Sequence, residues 1–134
     1  MLPANHRLAD RDEIALAELS DEPAILTSLR PARDLAENLM RHAGVEPVAG
    51  WSMANVETIR AMVARGLGYS VLVGRPHGDR TYDGLPLIYR RIADELPENA
   101  VVLACVRGGQ TTAALKALTD FCVREFGEAG RPVQ

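Results

Sequence analysis

Of the fifteen basic residues in this sequence only Lys116 is a lysine, only two residues are cysteine, and no stretch approaches the ~18 continuous apolar residues of a membrane-spanning helix. Each shortage excludes something. The opening MLPANHRLADRDE lacks the apolar run of a secretory signal, so the sequence predicts a cytoplasmic protein without a membrane span. Cys105 and Cys122 lie far apart in apolar surroundings without CxxC spacing, which predicts two buried free thiols rather than a disulfide or a metal site. The scarcity of lysine is what a skewed coding composition produces, although guanidinium groups also suit carboxylate recognition. A net charge of −3 and a pI of about 5.6 give no pull toward a phosphate backbone, so no direct DNA contact by this chain is expected.

Catalytic chemistry has no visible carrier. There is no GxSxG, no Walker-type loop, no HExxH and no pair of carboxylates that periodicity would bring to one face. His6, His42 and His77 are scattered over a polar opening, a helix end and a loop, none with a second ligand at metal spacing, and they read as solvated surface histidines. No catalytic residue, metal or cofactor is expected.

What is present is the pattern of one packed domain: 134 residues, 47% hydrophobic and 25% charged. Residues 1–18 are polar and connective, with a short apolar segment at 14–19 able to form one helical turn. Ala24-Ile25-Leu26 reads as a buried strand. Residues 31–43 form an amphipathic helix, with Leu35, Leu39 and Met40 on one face, Arg33, Asp34, Glu37 and Arg41 elsewhere, and Gly44 at its end. Residues 48–53 are a second strand, and Asn55 caps a second helix carrying the stripe Val56, Ile59, Met62 and Val63, closed by Gly66. Residues 69–73 are a third strand. This β-α-β-α-β order belongs to a parallel sheet covered by helices. After a Gly/Pro/Asp-rich loop at 74–84, strands are expected at 86–92 and 100–106, joined by a turn at 94–99. A final helix at 112–126 follows, with Thr111 as its cap and Leu115, Leu118, Cys122 and Phe126 as its stripe.

Open α/β sheets bind ligands at the carboxyl ends of their strands. Two such places carry suitable side chains: Thr27-Ser28 after the first strand and Ser52 to Asn55 after the second. Both adjoin helix N-termini, whose amides favour anions. Thr27, Ser28, Ser52 and Asn55 are therefore candidate binding residues, and the competing reading makes them helix caps and nothing more. Gly66-Leu67-Gly68 follows a helix and precedes a strand, the wrong order for a phosphate loop. Gly108-Gly109 with Thr111 and Thr112 has the right order, and serves equally as a plain turn.

Several segments resemble one family. Leu2-Pro3-Ala4-Asn5-His6-Arg7-Leu8-Ala9 is similar to the LP-x-x-H-P-L-A segment by which LysR-type transcriptional regulators cross from their first effector subdomain into the second, Arg7 standing where the family has proline. Residues 14–23 resemble the "isLaeLadEP" stretch that follows, and Ala43-Gly44-Val45-Glu46-Pro47 the "aGv-x-P" after a helix. Residues 63–72, VARGLGYSVL, are similar to the "VaaGlGia-lLP" signature, with the proline displaced to Pro76. Residues 86–93 and 100–106 resemble the strands returning to the first subdomain, and 111–126 its last helix.

The resemblance implies a periplasmic-binding-protein-like α/β fold and a non-enzymatic module that holds a small effector in a cleft between subdomains, shifting how paired DNA-binding domains meet their operator. It divides the chain into a crossover segment (1–21), a core like the second subdomain (22–98), a return strand and final helix (99–127) and a tail (128–134). The family's winged helix-turn-helix, linker helix and most of the first subdomain have no counterpart, so a shortened regulator or a standalone module is expected. With one wall of the cleft missing, a small anionic metabolite should bind weakly, at about millimolar or ~4 kcal/mol. Exposed sheet edges predict a homodimer, with the last helix the element most readily exchanged. The competing classes are an interaction module without ligand and a small α/β enzyme.

Overall fold

The computed structural model describes residues 1–72, 74, 76, 78–97 and 112–126. The chain divides into two compact units, Met1–Pro97 and Glu98–Gln134. In the first, β1 (Leu2–Pro3), β2 (Glu13–Ile14) and a 3-10 turn (Leu16–Leu19) precede β3 (Ala24–Thr27), α1 (Ala32–His42), β4 (Ala49–Met53), α2 (Val56–Ala64), β5 (Leu87–Ile88) and β6 (Arg91–Ile92). The described part of the second unit is a single helix, α3 (Ala113–Phe126).

The heart of the first unit is the parallel pair β3–β4, in which Leu26 faces Ser52 and Thr27 faces Met53. Side chains alternate across a strand, and the burial follows that alternation. Leu26 joins the cluster containing Ala36, Leu39 and Met40 of α1, whereas Ile25 joins Ile59 and Val63 of α2. The two helices thus cover opposite faces, as a βαβα chain requires. The register slips between Ala24, opposite Ala49, and Ile25, opposite Trp51, so Gly50 is the extra residue of a bulge. A Cβ at Gly50 would collide with the Ala24 carbonyl oxygen.

α1 carries Asp34 in its first turn and Arg41 and His42 in its last, each complementing the helix dipole, and Gly44 at φ +75° ends it. Its stripe buries Leu39 and Met40 together with Ala36. In α2 the expected stripe is only half right. Ile59 and Val63 are buried, but Val56 is exposed and Arg60 is buried in its place.

The third strand expected at residues 69–73 is reduced to one parallel bridge, Ala24 to Tyr69. Tyr69 donates to the Pro23 carbonyl at 3.0 Å and accepts from the Ile25 amide at 2.7 Å, while Ser70 exchanges both backbone bonds with Met1, at 3.0 and 2.8 Å. The segment therefore lies between β3 and the N-terminal residues, but one residue paired on each side is too short a ladder for a strand. Val73 lies outside the described residues.

The strand expected at 86–92 is split for a similar reason. β5 pairs antiparallel with β1, and β6 pairs parallel with β2, so the chain changes partner at Tyr89-Arg90. Arg90 fixes that change by donating from Nε and Nη2 to the Ala9 carbonyl, at 3.1 and 2.6 Å. The residues expected as a strand at 100–106, with Cys105, Gly108-Gly109 and Thr111, lie outside the described residues. At the start of α3, Thr112 Oγ1 accepts from the Leu115 amide at 3.1 Å. Cys122 is free and half-buried, against the buried thiol its apolar neighbours predict.

His6 is not the solvated histidine its polar context predicts. Its Nδ1 accepts from the Leu8 amide at 3.2 Å and its Nε2 lies 2.8 Å from Glu22 Oε2, an arrangement that a neutral ring protonated on Nε2 satisfies. Arg7 Nη2 adds a bond to Glu22 Oε1 at 2.9 Å. The crossover segment is so tied to the residues just before β3.

Candidate functional site

Parallel pairing brings the C-terminal residues of β3 and β4 to one end of the sheet. Ser28 extends the ladder there, its amide donating to the Met53 carbonyl at 2.9 Å. Thr27, Ser28, Ser52 and Asn55 accordingly occupy one region of backbone, but the strand pleat separates their side chains. Thr27 lies on the α2 face with Ile25 and Met53, and Ser52 lies on the α1 face with Leu26.

The side chains of Thr27, Ser52 and Asn55 already have local partners. Thr27 Oγ1 accepts from the Leu29 amide at 3.1 Å, a short turn that starts the link into α1. It does not cap the helix: the N-cap is Pro31, which offers no side-chain bond. Asn55 does cap α2, its Oδ1 accepting from the amides of Glu57 at 2.8 Å and Thr58 at 3.2 Å. Ser52 Oγ accepts from Arg33 Nη1 at 2.8 Å. A hydroxyl carries one donor and two lone pairs, so Thr27 and Ser52 keep hydrogen-bonding capacity beyond these single bonds.

Arg33 is the residue that periodicity missed. It stands in the first turn of α1, half-buried, and its Nε also holds Glu37 Oε1 at 2.6 Å. Helical side chains lean toward the N-terminus, so a long residue in the first turn reaches back to the strand ends. That geometry was the available signal: an arginine two residues beyond the proline that follows a strand. Arg30 stands nearby in sequence, exposed and paired with Asp34 at 2.9 Å. The region thus combines the hydroxyls of Thr27, Ser28 and Ser52, an uncapped and a capped helix N-terminus and a guanidinium, a set suited to hydrogen-bonding a carboxylate or another small anion.

An open surface depression elsewhere is lined by Asp12, Glu13, Tyr89, Arg90 and Arg91, where β2 and β6 run side by side. Its charges are mixed, and the Arg90 guanidinium is engaged by backbone carbonyls. Among the described residues no group of three or more His, Cys, Asp or Glu is arranged to hold a metal ion. Among the same residues no helix is long and apolar enough to cross a membrane.

Comparison with known proteins yields one consistent family. A family model described as the LysR substrate binding domain matches residues 1–127. The HTH-type transcriptional regulator TtuA of Agrobacterium vitis is 34% identical over 74 residues, 53% of this chain and 24% of that protein. Among solved structures, a putative LysR family transcriptional regulator from Pseudomonas aeruginosa superposes with a TM-score of 0.86 at 32% identity, over 94% of this chain and 44% of that one. The C-terminal domain of a probable LysR family regulator from Rhodococcus gives 0.81 at 38% identity, over 90% of this chain and 60% of that one. This chain spans less than two thirds of each of these proteins.

Proposed function

Because the chain belongs to the LysR substrate-binding domain family, we propose that it is the effector-binding module of a transcriptional regulator, taking a small anionic metabolite at the shared carboxyl ends of β3 and β4. The observation that supports this reading is that the backbone of Thr27, Ser28 and Ser52 shares one sheet end, where the Arg33 guanidinium bonds Ser52 and Asn55 caps the start of α2. Positive helix ends and one arginine favour a carboxylate or sulfate over a neutral ligand. The module binds and does no chemistry, in keeping with relatives that are transcriptional regulators. It acts in the cytoplasm and makes no direct DNA contact of its own. A thermal-shift screen of small organic acids tests the assignment. Stabilisation by one acid class, abolished by Thr27→Ala together with Asn55→Ala, supports it; stabilisation unchanged in that double variant removes the site.

Self-association is the second component of the reading. Among the described residues β4 pairs only with β3, and its Trp51 is 49% exposed beside exposed Val48. An open strand edge with apolar neighbours favours pairing with a second copy, so we propose a homodimer. Light scattering at high concentration tests it: a dimer that Trp51→Glu converts to monomer is the expected result, and a strictly monomeric wild type contradicts it. A stable dimer with no stabilising acid in the screen would instead favour an interaction module without ligand.

A further inference from the structure

Arg60 is the least expected buried residue of the chain, a guanidinium at 2% exposure in the second turn of α2. Arginine does not shed its proton in a protein, so its charge must be met where it stands. Its Nε pairs with Glu57 Oε1 at 3.2 Å. Nη1 donates to the Tyr89 hydroxyl at 2.7 Å, and Nη2 donates to the Arg80 carbonyl. Both Nη atoms also approach the Gly78 carbonyl, at 3.5 and 3.4 Å, and the guanidinium lies 6.0 Å from the Tyr89 ring centre. One cation thereby joins α2, the residues 78–80 and Tyr89.

The two ends of this arrangement matter. At one end, the Glu57 amide donates to Asn55 Oδ1 at the start of α2, so the carboxylate that holds Arg60 belongs to the residue that the cap fixes. At the other, Tyr89 is where the chain passes from the β5–β1 pair to the β6–β2 pair. We propose that Asn55, Glu57, Arg60 and Tyr89 form a relay that couples the N-terminal turn of α2 to the strand junction at Tyr89-Arg90. The regulatory role of the relay rests on the effector site proposed above, whereas the coupling itself is a property of the free protein. Because the guanidinium is buried and shared, a shift of α2 against Tyr89 breaks the bonds it makes outside the helix, while Glu57 moves with it. Loosening at one end is therefore transmitted to the other.

Amide hydrogen exchange of the ligand-free chain tests the coupling. Two amides report on the junction: Leu87, which donates to Asp79, and Ala93, which donates to Ile14. The Val45 amide, bonded to Met40 beside α1, reports on the opposite side of the sheet. Asn55→Ala should speed exchange at Leu87 and Ala93 about fivefold, the factor expected from losing one helix cap, with Val45 unchanged. In a Tyr89→Phe background the same substitution should leave Leu87 and Ala93 unaffected. Glu57→Gln, which spares the cap and weakens the pair, should reproduce the effect of Asn55→Ala. Equal acceleration at Val45, or an Asn55→Ala effect that persists in full without the Tyr89 hydroxyl, overturns the relay. No ligand is used, so a failure to bind anions would sink the site and leave this result standing.

Discussion

Arg33 donates from Nη1 to Ser52 Oγ at 2.8 Å and from Nε to Glu37 Oε1 at 2.6 Å, so the first turn of α1 is bound to the end of β4 across the face that Leu26 and Met40 bury. The same guanidinium is bonded to one of the residues proposed to hold the anion. Arg33→Ala should weaken binding of a small carboxylate by roughly tenfold or more, since hydrogen bonds to charged groups contribute about 1.5–3 kcal/mol. Stability should change by about 1 kcal/mol, because the Arg33–Glu37 pair is only partly shielded from solvent. Calorimetric titration and urea denaturation of the same variant separate the two effects.

Three glycines should respond to alanine in a fixed order. Gly44, at φ +75°, has open space around it and should cost about 1–2 kcal/mol, the penalty of a left-handed backbone alone. Gly68, at φ +149°, adds a collision with the Pro23 carbonyl, and Gly50 collides with the Ala24 carbonyl. Both flank β3, whose backbone cannot retreat, so each should cost about 2–4 kcal/mol. Urea midpoints that ranked Gly44→Ala as the most damaging would contradict this account of the sheet.

Burial, and secondarily the nearby Glu22 carboxylate, push the Tyr69 phenol up to about 12. Its ordinary value is about 10, so the unfolded chain loses this proton before the folded chain does. The contribution is fully present below about pH 10 and is lost as pH rises toward about 12. Denaturation midpoints should therefore fall across that window, and Tyr69→Phe should flatten the fall. An unchanged slope in the variant would remove Tyr69 as its source.

Glu22 holds both His6 and Arg7 through separate oxygens, joining the crossover segment to the start of β3. Glu22→Ala should destabilise the chain by about 1–3 kcal/mol, because it strands a mostly buried histidine nitrogen. Glu22→Gln keeps one accepting oxygen but sets an amide donor against the other partner, so it should recover only part of the loss; full recovery in urea denaturation would show that a single accepted bond carries the contribution.

The β-α-β-α core was legible because its signals are local: Leu35, Leu39 and Met40 at helical spacing, Gly44 at a left-handed helix end, Asn55 two residues before an amide it caps. What was not legible depends on neighbours distant in sequence. Residues 69–73 have the composition of a strand, but their pairing depends on Met1 and Pro23, which periodicity cannot supply. Arg60 lies outside the apolar stripe of its helix, and only the fold brings Tyr89 and the carbonyls of Gly78 and Arg80 over it. His6 reads as polar surface until Glu22 is placed beside it. At the site, residue types and strand ends were readable and side-chain direction was not. The slip at Gly50 sets which face each β4 residue takes, and Arg33 reaches Ser52 through the lean of a helical side chain.

The most direct test of the proposed function is an NMR titration of the uniformly labelled chain with the organic acids that stabilise it in the thermal screen. The account predicts that the largest amide shifts fall at Thr27, Ser28, Ser52 and Asn55, with the Arg33 side-chain resonances moving in step. Shifts concentrated instead in residues 74–84, with those four amides unmoved at saturation, would contradict it.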